Sequence, residues 1–148
     1  MAAPITAADI TVQFAPTPGA GTIQSIPTSI LLGPARTRRT FFVSFPNTAG
    51  PNNDYVATGV PLTDATAQNL TLKGRFGFQN GVTSLRVIAK TPFAGNTNSY
   101  WIWNGNPTDP RLVAFDCPAD AGAIPMSESV ATGIAQDSQQ LFLEMEGY

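Results

Sequence analysis

Histidine is absent from this chain. Its absence removes Ser-His and Cys-His nucleophile pairs, the commonest general base and every histidine-containing metal site. Cysteine occurs once, as Cys117. One thiol cannot build an intrachain disulfide framework or a zinc site, and it fits synthesis in a reducing cytosol. With no histidine to activate it, Cys117 reads as a small semi-buried residue rather than a nucleophile. Charge is scarce as well: charged residues make up 12% of the chain, about half the usual share. The net charge of −2 offers no global electrostatic case for nucleic acid or an anionic membrane. No apolar run approaches the length of a membrane span. The stretch from Met1 to Phe14 has neither the basic start nor the apolar centre of a signal peptide, so a soluble, cytosolically made protein is expected.

Carboxylates are few, ten in all, and Asp9, Asp54, Asp64, Asp109, Asp116, Asp120 and Asp137 fall almost entirely among turn formers. Turn geometry alone accounts for aspartate there. A carboxylate pair for glycoside hydrolysis is formally possible, as is a calcium site from Asp109, Asp116 and Asp120, although their spacing matches no loop motif. Gly74-Arg75-Phe76-Gly77 has neither the spacing nor the following helix of a phosphate loop. The expectation is a protein that is not an enzyme and that uses no cofactor or metal.

What the chain does have is turn formers and β-branched residues. Glycine and proline number 13 each, and threonine, asparagine and serine are abundant. At 148 residues it is long enough for one core. Short alternating runs recur at fairly even spacing. They include Ile10-Val12-Phe14, Thr22 to Leu32 with Pro27 inside it, Thr40 to Phe45, Tyr55 to Leu62, Leu70 and Leu72 then Phe76 and Phe78 leading to the Gln79-Asn80-Gly81 turn signal, and Val82 to Ala89. The clearest is the last, where Leu141, Leu143 and Met145 alternate with Phe142, Glu144 and Glu146. Asp64 to Asn69 suits a helical turn capped by Thr63 or Asp64. The reading is an all-β fold, an antiparallel β-sandwich with about eight strands and long loops, jelly-roll wiring being one common way to connect them.

The boundaries that follow are an N-terminal arm with a short strand and linker over residues 1–21, then a single β-sandwich domain over 22–148. Ala15-Pro16-Thr17-Pro18-Gly19-Ala20-Gly21 cannot be a regular strand. Ile10, Val12 and Phe14 therefore sit on an arm able to reach a neighbouring subunit, or on an ordinary edge strand of the domain.

Both tryptophans lie in Tyr100-Trp101-Ile102-Trp103, which a turn-rich Asn104 to Pro110 joins to Arg111-Leu112-Val113-Ala114-Phe115. That is a hairpin pattern. Trp101 and Trp103 share one face, Tyr100 and Ile102 the other. The tryptophans suit the core, a subunit interface or a sugar-stacking platform. Arg36, Arg38 and Arg39 put three of the eight basic residues within four positions. They suit a solvated loop edge, or a contact patch for an acidic partner surface, because guanidinium forks pair well with carboxylates.

The stretch Asp54-Tyr55-Val56-Ala57-Thr58-Gly59-Val60-Pro61-Leu62-Thr63 resembles the opening motif of small structural proteins of tailed bacteriophages, tyrosine-x-Thr-Gly-Gly-hydrophobic-x-Leu. Ala57-Thr58-Gly59 stands where that motif has a second glycine. In the same group a hairpin like Tyr100–Gly105 with Arg111–Phe115 follows, and a final strand ends in glycine, as Leu143-Glu144-Met145-Glu146-Gly147 does. The likeness spans residues 54–148. It implies a jelly-roll-like capsid decoration, or cement, protein on the outside of the virion. Its implied partners are the major capsid protein and further copies of itself, as a trimer or a dimer, at junctions between capsomers. The alternative is a carbohydrate-binding or tail-fibre module working through Trp101 and Trp103.

Overall fold

The computed structural model describes residues 3–13, 29–33, 36–45, 52–55, 58–90, 99–116, 127–128 and 140–148. The extended segments are β1 (Ala3–Pro4), β2 (Thr11–Gln13), β3 (Ser29–Gly33), β4 (Arg36–Ser44), β5 (Asn52–Asp54), β6 (Val60–Pro61), β7 (Val82–Lys90), β8 (Ser99–Trp103), β9 (Arg111–Asp116), β10 (Ser127–Glu128) and β11 (Gln140–Gly147). The protein is all-β and built on two antiparallel sheets.

In the larger sheet β11 is central, paired with β4 on one side and β7 on the other. The far edge of β4 carries two short strands, β3 against Arg36–Arg39 and β2 against Phe42–Ser44. In the smaller sheet β9 is flanked by β8, and by β6 and β10 along its other edge. A two-residue parallel bridge joins β1 to β5.

Period-two alternation decides what is buried. From β4 and β11 the core takes Phe41, Val43, Leu141, Leu143 and Met145; from the smaller sheet it takes Val60, Trp101, Leu112 and Ala114. One cluster thus draws on both sheets. Phe76, Phe78, Leu62 and Val82 complete it. On the opposite face of the larger sheet, Phe42 and Phe142 pair across β4 and β11 with ring centroids 4.9 Å apart, beside Ala89.

Four local departures from the sequence reading stand out. The strand expected over 55–62 is interrupted, because Thr58 and Gly59 take positive φ (81° and 102°), and an extended strand cannot pass through that region. A Cβ on Gly59 would stand 2.9 Å from the Leu112 carbonyl oxygen, so the close approach of this turn to β9 needs glycine. Where Leu70, Leu72, Phe76 and Phe78 alternate, the chain instead follows a 3-10 turn (Gln68–Leu70) with a single π-helical turn (Leu72–Phe76), closed by Gly77 in the left-handed region. The helical turn expected around Asp64 is a hydrogen-bonded turn in which the Asp64 carboxylate accepts from the Thr66 N–H and hydroxyl. Finally, β4 begins at Arg36 rather than Thr40, which takes the arginine cluster out of a loop and into the sheet.

Residues 3–13 are integrated into this domain. Ile5, Ala7 and Ile10 are buried, Val12 packs against the core, and β2 pairs with β4. Of the two readings of this stretch, the edge strand is the one observed in the single chain.

Candidate functional site

Three features built from sequence-flagged residues face outward or anchor the sheets: a charge ladder, an apolar stripe and a buried tryptophan.

The ladder lies on the outward face of the larger sheet. Alternation places Arg36 and Arg38 of β4, Glu144 and Glu146 of β11, and Arg86 of β7 on one side. The carboxylates stand on the middle strand and the arginines flank them. Arg38 donates to Glu146 through Nε (2.9 Å) and Nη2 (2.7 Å), and Arg36 reaches the other carboxylate oxygen at 2.9 Å. Glu144 takes Arg86 and the more distant Arg38 Nε at 3.8 Å. The guanidiniums roof the acids, whose side chains keep only 13% and 14% of their exposure. Glu144 and Glu146 of the last strand are therefore ladder rungs. The cluster is not a bare cationic patch either, since its carboxylates come from the same chain, 108 residues away for Arg38 and Glu146.

Arg39 points to the other side of β4. Its Nη1 donates to the Phe76 carbonyl (2.7 Å) and its guanidinium lies 5.7 Å from the Phe78 ring centre. It holds the turn that supplies two core phenylalanines, and it is not a surface contact. A Cβ on Gly77 would strike this guanidinium at 2.5 Å.

The hydrogen bond from Arg38 holds the Glu146 carboxyl below the ordinary glutamate range; burial opposes it, and the fields of Arg38, Arg36 and Arg86 add to the lowering. A depressed folded-state value means stability present above the unfolded value and lost as pH falls through the folded one. Glu146→Gln is therefore expected to lower Tm at pH 7. The difference from the parent should fade as pH drops below about 4.5, the ordinary value. A pH-independent difference in thermal melts would show that the ion pairs contribute nothing.

The hairpin resolves as its alternation predicts. Trp101 is buried, its ring stacked on Phe45 (centroids 4.7 Å, 21°) and edge-on to Tyr55 at 6.4 Å. Tyr55 in turn accepts from the Ala114 N–H. Trp103 is half-buried against the core and donates to the Asn106 carbonyl at 3.3 Å. Trp101 has no free face for a sugar ring, so the paired-tryptophan platform is not formed. The loop is held by Asn104, whose side chain accepts from the Asn106 and Arg111 N–H groups and donates to the Asp109 carbonyl.

Tyr100 and Ile102 project from the outward face, 59% and 50% exposed. Their cross-strand partners share that face: Phe115 is half-buried and Val113 buried, so the exposed part of the stripe is Tyr100 and Ile102. This apolar stripe is the most evident contact surface among the described residues. Of the other flagged residues, Ile10 is buried and Val12 partly so; Phe14, Cys117 and Asp120 lie outside the described residues. Asp109 pairs with Arg111 at 2.8 Å, and among the described residues no group of acids is placed to hold a metal. No helix among them is long and apolar enough to cross a membrane.

One residue was invisible as a structural anchor. Arg75, seen in the sequence only as part of a failed phosphate loop, donates to three backbone carbonyls: Ala7 and Leu62 at 2.8 Å and Ile10 at 2.7 Å.

No family model, curated protein or solved structure matches the chain.

Proposed function

We propose that this is a non-enzymatic virion protein that decorates and cements the outside of a tailed-phage capsid, with jelly-roll-like wiring of its two sheets. The observation that carries the reading is the outward apolar stripe of Tyr100 and Ile102, set on a hairpin whose other face is locked into the core by Trp101. Exposed contiguous apolar surface on a rigid sheet is a contact device, and a sheet anchored in this way presents it without a cost of ordering. The likeness of residues 54–148 to phage head proteins names the partner class, a major capsid protein. Several weak contacts made together across neighbouring capsid subunits add up through multivalency. The ladder sits on the opposite sheet and serves the domain's own stability.

The test is co-sedimentation of the purified chain with expanded heads that lack it. Saturable binding in a fixed ratio to capsid subunits is expected; no binding overturns the proposal. A parallel tryptophan-quenching titration with oligosaccharides should leave the emission unchanged.

A further inference from the structure

We infer that residues 3–13 form an exchangeable arm, and that in the assembled protein the site they occupy is filled by the same segment of a second copy of this chain.

The site is a receptor for a short peptide. β2 adds to the edge of β4 with Thr11 opposite Ser44, Val12 opposite Val43 and Gln13 opposite Phe42. Ile5 and Ile10 insert into the core, and the Arg75 guanidinium grips the Ala7 and Ile10 carbonyls. The segment also carries its own shape. The Asp9 carboxylate accepts from the Thr6 N–H (2.8 Å) and hydroxyl (2.6 Å), and the Asp9 N–H donates back to the Thr6 carbonyl. Backbone pairing, two apolar anchors and a pre-shaped turn are how an edge strand takes a peptide.

The topology shows that the connection is far longer than its task. β2 and β3 lie end to end on one edge of β4 and run in the same direction. Gln13 stands opposite Phe42 and Ser29 opposite Arg39. Those partners are three residues apart on β4, about 10 Å at the rise of a strand. The chain uses fifteen residues, 14–28, to join them, and these can span about 50 Å when extended. That exceeds the roughly 40 Å diameter expected of a domain this size. Two prolines and two glycines stand in its first part, Ala15 to Gly21.

Exchange changes connectivity and leaves the contacts alone, which is why swapped elements are a low-cost route to oligomers. A tethered arm competes with an effective concentration of order millimolar. An isolated chain therefore closes on itself, and copies held side by side trade arms. The result ties neighbours together through core burial.

Disulfide trapping tests this on the full chain, in a Cys117→Ser background. One chain carries Thr11→Cys and another Ser44→Cys, the two positions being direct cross-strand partners. When the two chains are mixed near millimolar concentration and oxidised, a covalent heterodimer should form several-fold above the level given by Thr11→Cys with Thr83→Cys, an exposed site on the opposite edge strand. The yield should fall on dilution. A chain carrying both Thr11→Cys and Ser44→Cys should close on itself at micromolar concentration, which verifies the receptor site. Heterodimer at only the control level overturns the inference, and so does failure of the double variant to close. No capsid is present, so the outcome is independent of head binding.

Discussion

Trp101→Ala is expected to destabilise the protein by about 3–5 kcal/mol, the cost of a large aromatic removed from a closed core. Trp101 sits between the two sheets, stacked on Phe45, which directly follows β4, and braced by Tyr55. Its indole Nε1 is buried with no hydrogen-bond partner, and leaving such a donor unsatisfied costs about 1–3 kcal/mol. Trp101→Phe keeps most of the ring and removes the orphan donor, so its cost is expected to stay below about 1.5 kcal/mol. Urea denaturation followed by circular dichroism separates the two, since tryptophan emission is itself altered. Equal losses for both variants would mean that ring contacts with Phe45 do not set the cost.

The second large effect is at Arg75. Arg75→Ala leaves the Ala7, Ile10 and Leu62 carbonyls without their charged donor. Each bond to a charged group contributes about 1.5–3 kcal/mol, and the three share one side chain, so a loss of about 3 kcal/mol is expected. Burial lowers the guanidinium's pKa, but from so high a starting value that it stays charged at neutral pH. Arg75→Lys should recover little, because one ammonium cannot reproduce a planar fork aimed at three oxygens. Hydrogen exchange gives the sharper readout. Amides of residues 5–13 should lose protection while those of β4 and β11 keep theirs. Uniform loss across the sheet would show that Arg75 supports the whole fold rather than the arm.

Legibility in the sequence tracked how local the determining interactions are. Leu141, Leu143 and Met145 against Phe142, Glu144 and Glu146 gave β11 directly, because alternation is a property of one strand. The facing of Trp101 away from Tyr100 and Ile102 followed for the same reason. Arg36, Arg38 and Arg39 resembled a loop edge since their partners lie in the last strand and in the turn at Phe76, where no spacing rule reaches. Arg75 gave no signal at all: its partners are backbone carbonyls, which leave no trace in side-chain pattern. Leu70, Leu72, Phe76 and Phe78 alternate as a strand would, yet the chain turns there, closed by Gly77 in the left-handed region. For the arm, the proline-glycine break between it and the domain was plain, but the burial of Ile5 and Ile10 depends on a receptor made elsewhere.

The proposed capsid contact is tested most directly by the disruption temperature of expanded phage heads, measured with and without the purified chain. The parent chain is expected to raise that temperature to a plateau as binding saturates. Ile102→Glu alters a half-exposed strand position and should fold with a stability within about 1 kcal/mol of the parent. It should nevertheless leave the heads near their bare disruption temperature. If the parent chain leaves the heads unchanged, or if Ile102→Glu protects them as well as the parent does, the outward stripe is not a capsid contact.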